Sequence, residues 1–142
     1  MLTNLPLKMM LMITYLSHWD WILYKSRKDI IKYINSDEIH AMCPTGAYED
    51  ELDSIYNNVT FWELDRKKLL DIKAILNLRS HIKSVNGSFH CFTLKTGILF
   101  CMANIFIKDK HRAVLSITGL GFLFSESTKA RLLRLIILSL IH

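Results

Sequence analysis

Three apolar runs that follow one another with almost nothing between them constrain this chain most. They occupy residues 88–95, 98–107 and 112–118, and only Thr96-Gly97 and Lys108-Asp109-Lys110-His111 separate them. In the first run Phe89, Cys91 and Leu94 stand against polar neighbours; in the third Ala113, Leu115 and Ile117 do so. That alternation is the period of a half-buried strand. Asn86-Gly87 ahead of the first run is a strong turn pair. The spacing predicts three consecutive strands, and the strict alternation of strand and helix that a doubly wound parallel sheet needs is missing.

Upstream, residues 21–24 and 30–34 are rich in aromatic and β-branched side chains and flank the polar turn Ser26-Arg27-Lys28-Asp29. This predicts an antiparallel hairpin. Pro44-Thr45-Gly46 breaks the chain, and 48–56 suits a short helix carrying Leu52, Ile55 and Tyr56 on one side. Residues 62–76 predict a longer helix, with Leu64, Leu69, Ile72 and Ile75 opposite Glu63, Arg66, Lys67 and Asp71. Thr60 with Glu63 would form its capping box. Residues 5–17 are apolar on nearly all sides and read as a buried helix. Residues 127–140 read as a last helix, capped at Ser125 or Ser127. The expectation is an α+β fold: a five-stranded antiparallel sheet with helices packed on one face, plus N- and C-terminal helices.

The chain of 142 residues is 51% hydrophobic and 22% charged, which suits one domain with one core. The core would span about 19–125. A net charge of +5, from 18 basic and 13 acidic residues, permits contact with nucleic acid or anionic lipid without requiring it. Because the charges are interleaved, they read as a solvated surface, and no direct nucleic-acid contact is expected. Cys43, Cys91 and Cys101 form no CxxC and no even framework, so reduced thiols are expected. No apolar stretch reaches the roughly 18 residues of a membrane span, and the expected location is the cytoplasm. Nucleophile elbow, P-loop, dinucleotide fingerprint and HExxH are all absent. The GxG in Thr118-Gly119-Leu120-Gly121 lacks its third glycine. Neither metal site nor enzymatic activity is expected.

In this order of elements the chain resembles the PAS family of sensor domains. Trp21-Ile22-Leu23-Tyr24-Lys25 followed by Asp29-Ile30-Ile31-Lys32-Tyr33-Ile34-Asn35 is similar to the opening PAS hairpin. Residues 69–76 with His81-Ile82-Lys83 and Val85 resemble the long PAS helix and its exit. Residues 100–107, Lys108-Asp109-Lys110 and 113–119 resemble the last two strands, and Ser125-Glu126-Ser127-Thr128-Lys129-Ala130 the polar exit toward a signalling helix. The chain departs from the family at His111, where a glycine is usual, and at Gly121-Phe122-Leu123-Phe124, where Asp-Ile-Thr is common.

The resemblance implies a regulatory or sensory module of bacterial signalling or transcription control, acting through a small ligand, dimerisation or both. It implies a pocket lined by Ile72, Ile75, Phe89, Phe92, Phe100, Met102 and Leu115, which also read as plain core. A small apolar ligand would fit there, but no cofactor is predicted; His81, the one candidate haem ligand, reads as a surface or turn histidine. Leu7, Leu11, Leu133, Ile136, Ile137 and Leu140 are the candidate dimer interface. Two alternatives cover the same end segments: folding back on the domain, or a membrane-surface helix bearing Lys129, Arg131 and Arg134. The alternative function is a ligand-free protein-interaction subunit of another α+β fold.

Overall fold

Strand and helix alternate along this chain. The computed structural model describes residues 12–65, 67–68, 70–105, 107, 111–116, 127–128, 130–132 and 134–135. The elements are β1 (Met12–Ser17), α1 (Asp20–Ile31), β2 (Glu38–Cys43), α2 (Glu49–Asp53), β3 (Asn58–Phe61), α3 (Ile72–Ser84), β4 (Ser88–Phe92), α4 (Leu94–Asn104) and β5 (Ala113–Ser116). The five strands form one sheet in the order β3-β2-β1-β4-β5, and every neighbouring pair is parallel. This overturns the antiparallel sheet expected from sequence. Helices also lie on both faces rather than one.

Three misread segments account for the difference. Residues 12–17, expected to be helical, form β1 at the centre of the sheet, where Thr14, Tyr15, Leu16 and Ser17 are all buried. A strand buried on both faces has no polar side to alternate with. The expected hairpin of 21–34 is α1, whose inward line is Asp20, Leu23, Arg27 and Ile31 at helical spacing. The expected strand of 98–107 falls mostly in α4, where Thr96 to Phe100 are buried without a break. Gly97 lets that helix lie on the sheet: a Cβ there would stand 2.6 Å from the Leu115 side chain. The expected helix of 62–76 begins only at Ile72. Thr60 belongs to β3, and Asp71 caps α3 by accepting from the amides of Lys73 and Ala74.

Two apolar layers sandwich the sheet. Tyr15, Ala41, Cys43 and Phe92 face Leu23 and Ile31 of α1 and Leu52 of α2. Leu16, Met42, Phe89 and Cys91 face Leu78 and Ile82 of α3 and Leu99, Phe100 and Ala103 of α4. Residues 128, 130–132, 134 and 135 are helical. Ser127 caps that turn, its Oγ accepting from the Ala130 amide at 3.2 Å, and Ala130 is fully buried. Among the described residues no helix is long and apolar enough to cross a membrane.

Candidate functional site at the carboxyl ends of the strands

In a parallel sheet whose order reverses, the connections from the two strands at the reversal leave on opposite faces and open a crevice beyond their carboxyl ends. Here the reversal falls between β1 and β4. The first leaves through Ser17-His18-Trp19-Asp20, the second through Thr93-Leu94-Lys95-Thr96.

The turn after β1 is locked by its own polar groups. The Ser17 hydroxyl donates to the Trp19 carbonyl at 2.8 Å and accepts from the Trp19 amide at 3.1 Å. Asp20 opens α1 and is only 4% exposed. A carboxylate there is stabilised by the helix dipole, and Oδ2 accepts the Tyr48 amide at 3.1 Å. The loop after β2 is pressed onto it: a Cβ on Gly46 would lie 2.0 Å from Asp20 Oδ2. Cys43 at the end of β2 pays for this company: burial, then the nearby Asp20 and Glu49, push its thiol up to about 12.

The turn after β4 is strained. Thr93 has φ 105° and ψ 151° and is the sole non-glycine residue with positive φ among those described. A β-branched residue in that region costs roughly 1–3 kcal/mol and is held only by its surroundings. Its amide donates to the Ser116 carbonyl at 3.1 Å. Its hydroxyl lies 3.0 Å from His18 Nδ1 and 3.3 Å from the Thr96 hydroxyl. Thr96 in turn donates to the carbonyls of Phe92 and Thr93, each at 3.0 Å. A continuous polar line therefore joins the two strands at the reversal.

Beside it, over β2 and β3, a cleft of about 730 Å³ is lined by Pro44, Thr45, Trp62, Leu64 and Asp65, among others. Lys95 closes the side toward the reversal, donating to the Asp65 carbonyl at 2.6 Å. Burial pulls the Lys95 ammonium below its ordinary value, while Asp65 and Asp71 pull the other way. Two ion pairs line the cleft, Lys73 with Glu63 and Lys68 with Asp65 at 3.5 Å, while Asp71 accepts from backbone amides. Asp65 is held below the usual carboxylate range chiefly by the Lys67 amide, and Asp71 by the Asp65 amide. Trp62, 4% exposed, has no hydrogen-bond partner for Nε1 among the described residues.

The residues expected to line a pocket do not converge. Phe89 and Phe100 pack together at 5.0 Å, with Ile75 against the same core. Phe92 lies on the opposite face of the sheet. Ile72 is 75% exposed, and Met102 and Leu115 are also exposed. Phe100 and Leu115 do border a cavity of about 300 Å³ under α4, together with Cys91 and Gly97. His81 sits inside α3 rather than beyond a helix end, and burial holds it below its ordinary value. Leu7, Leu11, Leu133, Ile136, Ile137 and Leu140 lie outside the described residues. Among those described, no group of three His, Cys, Asp or Glu side chains could hold a metal.

The sequence reading missed His18, Asp20, Thr93 and Thr96. One sign was available: Asp20 and Arg27 continue the spacing of Leu23 and Ile31, which makes 20–31 a helix and places its first residue at a strand end. No family model and no curated protein matches the chain.

Proposed function

We propose that this chain binds a small polar ligand in the crevice where β1 and β4 part. The observation that carries the proposal is the Thr93 turn: strained backbone holds a hydroxyl against His18 at the reversal of strand order. Strain of that kind gathers at binding and catalytic turns. The ligand class follows from the charges. The turn into α1, Ser17-His18-Trp19-Asp20, has no glycine and places a carboxylate where a dinucleotide fold would receive pyrophosphate. Hydroxyls, an imidazole, backbone groups and the Lys95 ammonium, already donating to the Asp65 carbonyl, remain, a set that suits hydroxyl or amide groups better than phosphate.

The PAS resemblance rested on an antiparallel order that this sheet lacks, so the apolar pocket expected from it is not carried forward. Small-ligand binding is proposed at a different place, in a cytoplasmic setting. Protein association is a second reading, favoured by the exposed stripe of Leu70, Ile72 and Leu76 at the start of α3. Under that reading, wild-type protein would sediment as an oligomer and Leu76→Glu as a monomer.

Titration of ¹⁵N-labelled protein with adenosine, methyl α-glucoside and inorganic phosphate tests the crevice. Saturable shifts are expected at 17–20 and 93–96 from a neutral probe and not from phosphate. Shifts confined to other residues would overturn the placement, and a response to phosphate alone would overturn the ligand class.

A further inference from the structure

Arg27 on α1 has no ion-pair partner among the described residues. Paired residues of neighbouring parallel strands share a face, so Tyr15, His90 and Val114 form one row across β1, β4 and β5, and Ser17, Phe92 and Ser116 form the next. This is the face that α1 packs on, since Tyr15 and Phe92 join Leu23 and Ile31 in one cluster. Helix α4 covers β4 and β5 from the other side, where Gly97 meets Leu115. On the α1 side Val114 remains 62% exposed.

Arg27 reaches across from α1 into this niche. Its guanidinium carbon stands 4.1 Å from the centre of the Phe92 ring. Tyr15 and His90 pack around the same ring, at 5.2 Å and 4.2 Å. His90 Nε2 lies 2.7 Å from the Ser116 hydroxyl. The Arg27 Nε is buried and has no hydrogen-bond partner among the described residues. Its neighbours in the niche are aromatic rings and hydroxyls, and among the described residues no carboxylate pairs with it. Ring contact offsets only part of the cost of drawing a cation out of water. A planar fork with an idle N–H is the arrangement that binds two oxygens of one anion.

We infer that this niche is a second ligand site, in which Arg27, beside His90 and Ser116, takes a carboxylate or phosphate group. It differs from the crevice proposal in ligand class and in its charged group, although the backbone carbonyls of Phe92 and Ser116 also hold the Thr96 hydroxyl and the Thr93 amide of the crevice. One guanidinium next to a neutral imidazole fits a single negative charge. The neighbouring titrating groups report on that charge. Burial and then Arg27 hold His90 below its ordinary value. Burial raises Tyr15 and Tyr56, while Arg27 lowers both. An anion on Arg27 would cancel its push on His90, whose apparent pKa would then rise.

The test follows the Arg27 Nε–H resonance of the whole ¹⁵N-labelled chain during titration with sodium acetate and, separately, sodium phosphate. Sodium chloride keeps ionic strength constant. A saturable downfield shift and a raised His90 pKa are expected. Saturation by acetate alone assigns a carboxylate, by phosphate alone a phosphate, and by both a shared oxyanion seat. Arg27→Lys, which keeps the charge and loses the fork, is expected to abolish saturation while the amide spectrum stays dispersed. A linear response to both salts overturns the inference. So does a His90 shift that saturates unchanged in Arg27→Lys. Should that variant fail to fold, the wild-type Arg27 resonance decides alone.

Discussion

A methyl group added at Gly46 would fall 2.0 Å from a buried carboxylate oxygen. Asp20 cannot retreat cheaply, because it is packed at the start of α1 and holds the Tyr48 amide. Gly46→Ala is therefore expected to destabilise the protein by about 1–3 kcal/mol, the usual range for overpacking, read as a lower urea midpoint with unchanged slope. Asp20→Ala in the same chain would restore much of that loss, and a single variant as stable as wild type would contradict the contact. Thr93 allows a comparison free of the lost hydroxyl. Ala and Gly both lack it, yet only Gly tolerates φ 105°. Thr93→Gly should be more stable than Thr93→Ala by about 1 kcal/mol; equal midpoints would show that the turn relaxes. Neither Gly46 nor Thr93 is legible as special in sequence, because each acts through a neighbour that only the folded chain supplies.

Elements were readable where polar residues alternate with apolar ones, as Ser88 and His90 do with Phe89 and Cys91. Strand β4, with Phe89 and Cys91 turned to one core, alternates as a strand should, and α2 lies within the short helix expected at 48–56. Where both faces or all sides are buried, periodicity vanishes. Strand β1 then reads as helix and α4 as strand, for one physical reason: an apolar run does not record its own pitch. Helix α1 failed differently, because two of its four inward residues, Asp20 and Arg27, are charged, and a search for apolar spacing passes over them. Helix α3 was expected ten residues too early because its true cap, Asp71, looked like part of a polar face. That cap is testable: Asp71→Ala loses acceptors for Lys73, Ala74 and Asp65 and should cost about 1 kcal/mol. Asp71→Asn or Asp71→Ser would recover most of it, and no loss in Asp71→Ala would remove the cap from the account.

At the scale of the whole molecule, pH acts through half-buried histidines. His81 and His90 are held below the ordinary value of 6.5, first by burial. As pH falls through 6.5 the unfolded chain takes up protons before the folded one does. Stability should therefore be level between about pH 7 and 8 and decline below 6.5. Asp65 and Asp71, lowered in the fold, extend the decline below the usual carboxylate range. Urea midpoints should hold from pH 7.5 to 7 and then fall toward 5.0, less steeply in His81→Gln. A flat profile would show both imidazoles open to water.

The parallel order also sets a timetable. Strand β1 has β2 on one side and β4 on the other, and the second of these partners begins only at Ser88. During synthesis, at roughly 5–20 residues per second, the central strand waits several seconds with one edge bare. Throughout that wait Tyr15 can already pack on Leu23, Ala41 and Leu52, but the β4 edge of the strand stays open until Ser88 to Phe92 are made.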